Sequence, residues 1–425
     1  MRKLILFVVE ILFCFTVPVA AQNKWLWVLR APGEVVEYDA ATFAEKEVVK
    51  IPAKALDSPQ NFLINSLGQM LFAPPVNLPL EEGDIADERN VWFWDGHTAS
   101  TLMRDVSRST ATAGSNLAVT ESAAVPFLSK DGKHLYWFSN QPRRLQRDGV
   151  DLSSKVTWTS WRTDLAGANR EEIASIVLPE CSCKTGTCEE TCPYEEVWIP
   201  DEGVDEFFFV TQFVSGQTQA IYKSTSVYQE RAGKSVATPL VPPLRRVLDA
   251  ANADAILEAV PDTGCCGWSN ESDDQTLLRL HGKVLTVFDE LAAYKNADYD
   301  VSFYTQNGKL APGLGLVAMT IVSTSKPNTP IQLAEQGQAN PEESQAIRKA
   351  LLNLPAVEVK SVDARNSEAV QRRLAFLPHS TLVGWLSDKE ILIIQDHFLV
   401  AHNVESGSSR KSNIRVEDYE HVFLR

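Results

Sequence analysis

A strand–turn–strand module recurs along this chain, and no other feature of the sequence narrows the possible folds as much. Each copy holds an apolar strand, a polar turn with Asp or Asn beside Gly or Lys, and a second apolar strand. A third strand ending near Asp or Glu often follows. Copies occupy Asn61–Ala73, Pro126–Ser139 and Val197–Val210, and two that resemble each other more closely occupy Gly267–Glu290 and Gly384–Gly407. Their turns centre near 67, 131, 203, 273 and 388, steps of about 64 to 72 residues and then one of about 115. The long step predicts a further unit between 290 and 380, with Val301–Gly313 and Leu314–Val322 as its best material. Asp-Gly and Asn-Gly turns suit tight hairpins because these residues tolerate positive φ, so the turn acids read as structural and not catalytic.

A four-stranded unit of this size cannot bury both of its faces alone, and stacking such sheets radially around an axis solves the problem. Further strand-like runs, rich in aromatic and branched residues, are Lys24–Arg30, Val91–Trp94, Lys155–Trp161, Glu206–Phe213, Thr276–Phe288 and Glu390–Val404. With 44% hydrophobic residues and 22 Pro and 21 Gly scattered without a period, the chain suits many short strands and disfavours helical bundles. The expectation is an all-β chain: a six- or seven-bladed β-propeller of four-stranded antiparallel blades, one domain over residues 22–425. Lys24–Leu29 and His421–Leu424 are both strand-like and are expected to pair, closing the ring and hiding two sheet edges. A short inserted helix is predicted near 341–354, since Asn340 can cap, Pro341 suits the first turn and Glu343 completes a capping box. Ala346, Ile347, Ala350, Leu351 and Leu354 share one face of it. Arg245–Val260 reads, more weakly patterned, as a second helix.

The segment PFLSKDGKHLYWFS followed by TWTSWRTDLAGANREEI resembles the blades of TolB-like propellers. There a Ser-x-Asp-Gly-Lys turn, an apolar strand, and a strand ending in Asp-x-x-Gly and Arg recur. The matching residues are Ser129, Asp131, Gly132 and Lys133, then Trp161, Asp164, Gly167 and Arg170. The stretch from Gly384 looks similar, with Ser387, Asp388, Lys389, Glu405, Gly407 and Arg410. The likeness covers about half the chain. Asn61–Ala73 lacks the turn Asp, and the Gly267 copy carries extra residues before its turn. What the resemblance implies is a propeller with protein partners in a cell envelope.

The first residues read as an export signal. Arg2 and Lys3 precede an apolar run from Leu4 to Val17, and Val19 and Ala21 stand where a signal peptidase reads small residues, so cleavage is expected after Ala21. Glu10 is a costly charge within that run, and a non-cleaved anchor is the rival reading. The residues before Cys14 are not those of a lipoprotein signal. A periplasmic or secreted protein with no stable membrane insertion after cleavage is expected. Removing the leader leaves six cysteines: Cys181, Cys183, Cys188, Cys192, Cys265 and Cys266. An even number in an exported chain suggests disulfides. Adjacent Cys265 and Cys266 would each link, if at all, to the 181–192 loop. A thiolate metal site in that loop is the competing reading, although the spacing lacks paired Cys-x2-Cys knuckles.

No chemical signature stands out. There is no Gly-x-Ser-x-Gly elbow, no His-Glu-x-x-His and no phosphate loop, and GLGLVA at 313–318 reads as a turn and a strand. His397 and His402 fall on opposite sides of a strand. The acidic pairs Glu81 and Glu82, Asp273 and Asp274, and Glu342 and Glu343 read as hydrated surface or helix starts, and Asn270 matches a glycosylation pattern. No catalytic, cofactor or metal residue is assigned. A formal charge of -15 argues against nucleic acid as a partner. The expected role is a non-enzymatic scaffold binding a protein, peptide or glycan, the alternative being a metal-dependent hydrolase or lactonase with its site in the propeller channel.

Overall fold

The structure, a computed structural model, describes residues 24–31, 33–51, 62–65, 67–72, 85–111, 117–120, 127–140, 143–146, 157–165, 169, 171–177, 193–198, 207–215, 220–231, 234–239, 246–259, 275–289, 303–323, 349–362, 372–416 and 421–425. Among these residues the protein is an all-β propeller whose strands form seven antiparallel sheets. The first sheet runs, from the outer edge inward, Glu45–Lys50, Glu34–Asp39, Trp25–Ala31 and Val422–Leu424. The second, of six strands, begins at its inner edge with the hairpin Phe62–Ile64 and Met70–Phe72. The third begins with Phe127–Leu128 and His134–Asn140, and the fourth with Pro193–Trp198 and Phe207–Ser215. The fifth sheet is Arg246–Asn252, Ala255–Ala259, Gln275–Leu280 and Lys283–Asp289. The sixth is Phe303–Leu310, Leu316–Ser323, Ala356–Ser361 and Arg372–Pro378. The seventh is Ser380–Trp385, Glu390–Gln395, Phe398–Asn403 and Ser409–Arg415.

Each sheet touches the next in chain order, and the seventh touches the first, so the sheets form a ring. The period-2 alternation of a strand produces this packing directly. In the seventh sheet Ile391, Ile393 and Val400 face the sixth sheet, meeting Val357, Val359 and Ala318. Their neighbours Leu392, Ile394 and Leu399 face the first sheet, meeting Leu26, Val28 and Val36. One strand thus supplies two interfaces, and the core is a series of clusters between sheets, each buried Leu or Ile contributing roughly 1.5–3 kcal/mol.

The predicted closure is present: Leu26 pairs with Leu424, Trp27 with Phe423 and Val28 with Val422. The predicted sixth unit is present too, built from Phe303–Leu310 and Leu316–Ser323, with a turn at Ala311–Gly315 between them. Residues 349–351 are helical, and Ala350, Leu351 and Leu354 pack on the core of the fifth and sixth sheets, as the apolar face requires. Residues 341–348 lie outside the described residues.

The helix expected at Arg245–Val260 is not one. Arg246–Asn252 and Ala255–Ala259 are the first two strands of the fifth sheet. The Asn252 side chain accepts the Asp254 amide at 2.8 Å and closes the turn, and the buried run Ala255–Ala259 is sandwiched by neighbouring sheets. Burial on both faces overrides a helix-compatible composition. The same finding corrects the register of the Gly267 copy: its hairpin, turning at His281–Gly282, joins the third and fourth strands of a sheet, whereas the other copies join the first and second.

Candidate functional site

The inner edges of the sheets surround the axis of the ring, and they are the first place to look for a site. An unpaired sheet edge exposes backbone N–H and C=O groups. Here side chains from the adjacent sheet satisfy many of them. Asp249 accepts the Leu310 amide at 2.8 Å and stands 3.7 Å from the Lys309 ammonium, joining the fifth and sixth sheets. Trp385 donates its indole N–H to the Lys309 carbonyl at 3.0 Å, Asn307 donates to the Leu382 carbonyl at 2.9 Å, and the Leu382 amide donates to the Thr320 hydroxyl at 2.9 Å. Lys24 donates to the Trp385 carbonyl at 2.7 Å, Arg425 to the Ile64 carbonyl at 2.9 Å, and Asn65 to the Ser129 carbonyl at 3.4 Å.

These bonds show that the inner strands run in parallel around the axis, because the residues they join lie at or near the same end of each strand. That end carries short turns: 65–69, 129–133, 253–254, 311–315 and 386–389. The turns are themselves tied together, the Gly313 amide donating to Asp388 and Gln69 to the Gly132 carbonyl. At the opposite end the Thr276 and Thr305 hydroxyls bond at 2.6 Å across the fifth and sixth sheets. From that opposite end leave the connections 52–61, 73–84, 178–192, 260–274, 290–302 and 324–355.

The turn acids have the structural roles read from the sequence. Asp131 accepts the Ser129 hydroxyl at 2.6 Å and the Lys133 amide at 3.0 Å. Burial works against its charge, yet those bonds and the nearby His134 and Lys133 hold its carboxyl below the ordinary range. Gly132 stands at φ +68, and a Cβ there would meet Gln69. Asp164 accepts the Asn169 amide group at 2.7 Å, and Glu405 pairs with Lys389 at 2.9 Å. The two histidines are not brought together. His397 is an exposed turn residue at φ 64, whereas His402 is buried with its Nδ1 2.8 Å from the Ser409 hydroxyl. Cys181, Cys183, Cys188, Cys192, Cys265 and Cys266 lie outside the described residues. So do the leader 1–21, Asn270, Gly167, Arg170 and the three acidic pairs. Among the described residues no group of three or more His, Cys, Asp or Glu could hold a metal ion, and no helix is long and apolar enough to cross a membrane.

Sequence reasoning missed several buried charges. Glu258, fully buried, pairs with Arg279 at 2.8 Å within the fifth sheet. Glu358 pairs with Arg373, and Lys360 donates to the Val287 carbonyl while standing 3.8 Å from Glu358. Burial lowers the Lys360 ammonium pKa, and the Glu358 charge partly offsets that. A single charge inside a short apolar run, as in AILEA and QTLLRL, was the available signal for the first pair.

No known protein family matches the sequence, and no curated protein does. Solved structures similar to it include dipeptidyl peptidase 4 of Porphyromonas gingivalis, at 9% identity and a TM-score of 0.44, covering 93% of this chain and 59% of that one. AztD of Citrobacter koseri is similar at 8% identity and a TM-score of 0.36, covering 93% and 94%. The β-propeller domain of Cps50 (Swd1) from Myceliophteria thermophila is similar at 10% identity and a TM-score of 0.38, covering 92% and 93%. This chain therefore spans little more than half the length of the peptidase.

Proposed function

We propose that the protein is an exported scaffold, of the TolB-like kind, that binds a protein, peptide or glycan at the end of the ring opposite its short turns. The asymmetry between the two ends carries this reading. At the short-turn end several of the described polar side chains near the axis, Asp249, Asn307, Trp385 and Asn65 among them, are spent on neighbouring backbone. The opposite end has the longest connections, and binding surfaces are characteristically built from loops that a rigid framework positions. The apolar leader, with its small residues before Gln22, supports export, and the six cysteines of the mature chain then serve as disulfides.

The test uses the mature chain, residues 22–425, probed against a displayed peptide library and a glycan array. Replacing residues 260–274 and 290–302 by short Gly-Ser connections is expected to abolish the binding found. Substitutions in the turn at 386–389 are expected to leave it intact. The opposite pattern of losses would remove the reading. Metal analysis of the same protein separates the alternative: a stoichiometric divalent ion with ester or lactone hydrolysis would favour a channel hydrolase.

A further inference from the structure

Two turns, one on each side of the seam between the seventh and first sheets, are built alike and differ in one respect. Both join the third and fourth strands of their sheets, counted from the axis: 39–44 in the first sheet and 403–408 in the seventh. The Asp39 carboxylate accepts the Ala41 and Thr42 amides at 3.0 and 2.8 Å, and the Asn403 side chain accepts the Glu405 and Ser406 amides at 3.1 and 2.9 Å. The Phe43 amide donates to the Asp39 carbonyl at 2.8 Å, as Gly407 does to Asn403 at 2.9 Å. The Asp39 amide donates to the Ala44 carbonyl at 3.0 Å, as Asn403 does to Ser408 at 2.8 Å. Even the Ala44 amide on the Thr42 hydroxyl, 3.3 Å, matches the Ser408 amide on Ser406, 3.3 Å.

The fifth residue of each turn takes a left-handed backbone, φ 71 at Gly407 and φ 61 at Phe43. Gly407 answers to that backbone alone, because a Cβ there would meet nothing within 4 Å. For a bulky residue the same conformation is strained. Phe43 therefore departs from what its turn demands, and something beyond the turn must offset the cost.

The offset lies across the seam. The Phe43 ring packs into the cluster that holds Leu26 and Val28 of the first sheet with Leu392, Ile394 and Leu399 of the seventh. The Arg410 guanidinium, on the strand that leaves the matching turn, lies 4.5 Å from its centre. Among the described residues the Arg410 Nη1 is buried and has no hydrogen-bond partner, and Glu390 stands 3.8 Å from Nη2. A partly desolvated cation over a ring is held more tightly than an exposed one. The same seam contains the closure of the ring, three ladder pairs between Leu26–Val28 and Val422–Leu424.

We propose that Phe43 is a latch, held under strain so that its ring, clamped by Arg410, keeps the seventh and first sheets together, and that the propeller opens at this seam when the clamp is released. The latch has two states: left-handed and clamped, or relaxed and withdrawn. It lies outside the long connections and does not depend on the ligand end proposed above.

Hydrogen exchange of the mature chain, followed by mass spectrometry, tests it. Arg410→Ala and Phe43→Gly, checked for folding by circular dichroism, should each exchange about three- to tenfold faster at 24–28 and 421–425. Exchange at 316–323 and 356–361, in the sixth sheet, should not change. The double variant should be no faster than the faster single one, and Glu390→Gln, which keeps the ring and the guanidinium, should match the parent. Seam exchange in Phe43→Gly as slow as in the parent, or slower, would mean that the ring only strains its turn and would overturn the proposal. So would an acceleration shared equally by the sixth sheet, an equal acceleration in Glu390→Gln, or fully additive effects in the double variant.

Discussion

At the residue scale, buried polar groups carry the clearest consequences. His402 lies in the interface between the sixth and seventh sheets, on the same strand face as Val400 and Val404. Burial lowers its pKa from the ordinary 6.5. The folded protein therefore takes up a proton less readily than the unfolded chain, and the unfolded chain gains protons as the pH falls below 6.5. Its contribution to stability is present above that pH and lost below it. Urea midpoints measured between pH 7 and 5 should fall, and His402→Gln should flatten that part of the decline. The Glu258–Arg279 pair leads to a second expectation. Arg279→Met leaves a buried carboxylate without this partner and should cost about 3–5 kcal/mol, whereas the double change Glu258→Leu/Arg279→Met should cost much less. A double-mutant cycle in urea measures the difference.

At the element scale, strands are legible where polar turns punctuate apolar alternation, as at Asn61–Ala73, Pro126–Ser139 and Gly384–Gly407. They are less legible where a strand is buried on both sides. Arg245–Val260 misleads because Ala255–Ala259 has no polar face to display a period of two, and only the neighbouring sheets establish that it is extended. The closeness of the sheets is measurable at Gly308, on the inner strand of the sixth sheet. A Cβ there would stand 2.6 Å from the Leu257 Cδ2 of the fifth sheet, and Leu257 is itself fully buried. Gly308→Ala should therefore destabilise the protein by about 1–3 kcal/mol through overpacking. Trp385→Phe, which keeps the ring and loses the N–H donated to the Lys309 carbonyl, should cost about 1 kcal/mol. Thermal melts of both variants check the ranking.

At the scale of the whole molecule, the ring depends on a strand that returns from the far end of the chain. Val422 is buried in the interface between the seventh and first sheets, with Leu26, Val28 and Ile414. Val422→Asp places a carboxylate there and should cost about 3 kcal/mol or more. A lowered melting temperature with increased dye binding to exposed apolar surface would register it. Without pairing, the Trp25–Ala31 strand becomes a free inner edge and the seventh sheet loses its neighbour. The sequence by itself determined that the chain is built of repeated antiparallel sheets, that a further unit lay between 290 and 380, and that its two ends meet. Each of these follows from local alternation and turn chemistry, which a strand carries within its own residues. Only the tertiary structure decided which charges are buried together, which polar side chains reach the backbone of the next sheet, and which end of the ring receives the long connections. Those relations join residues such as Asp249 and Leu310 or Lys24 and Trp385, whose proximity arises from closing the ring and leaves no periodic trace along the chain.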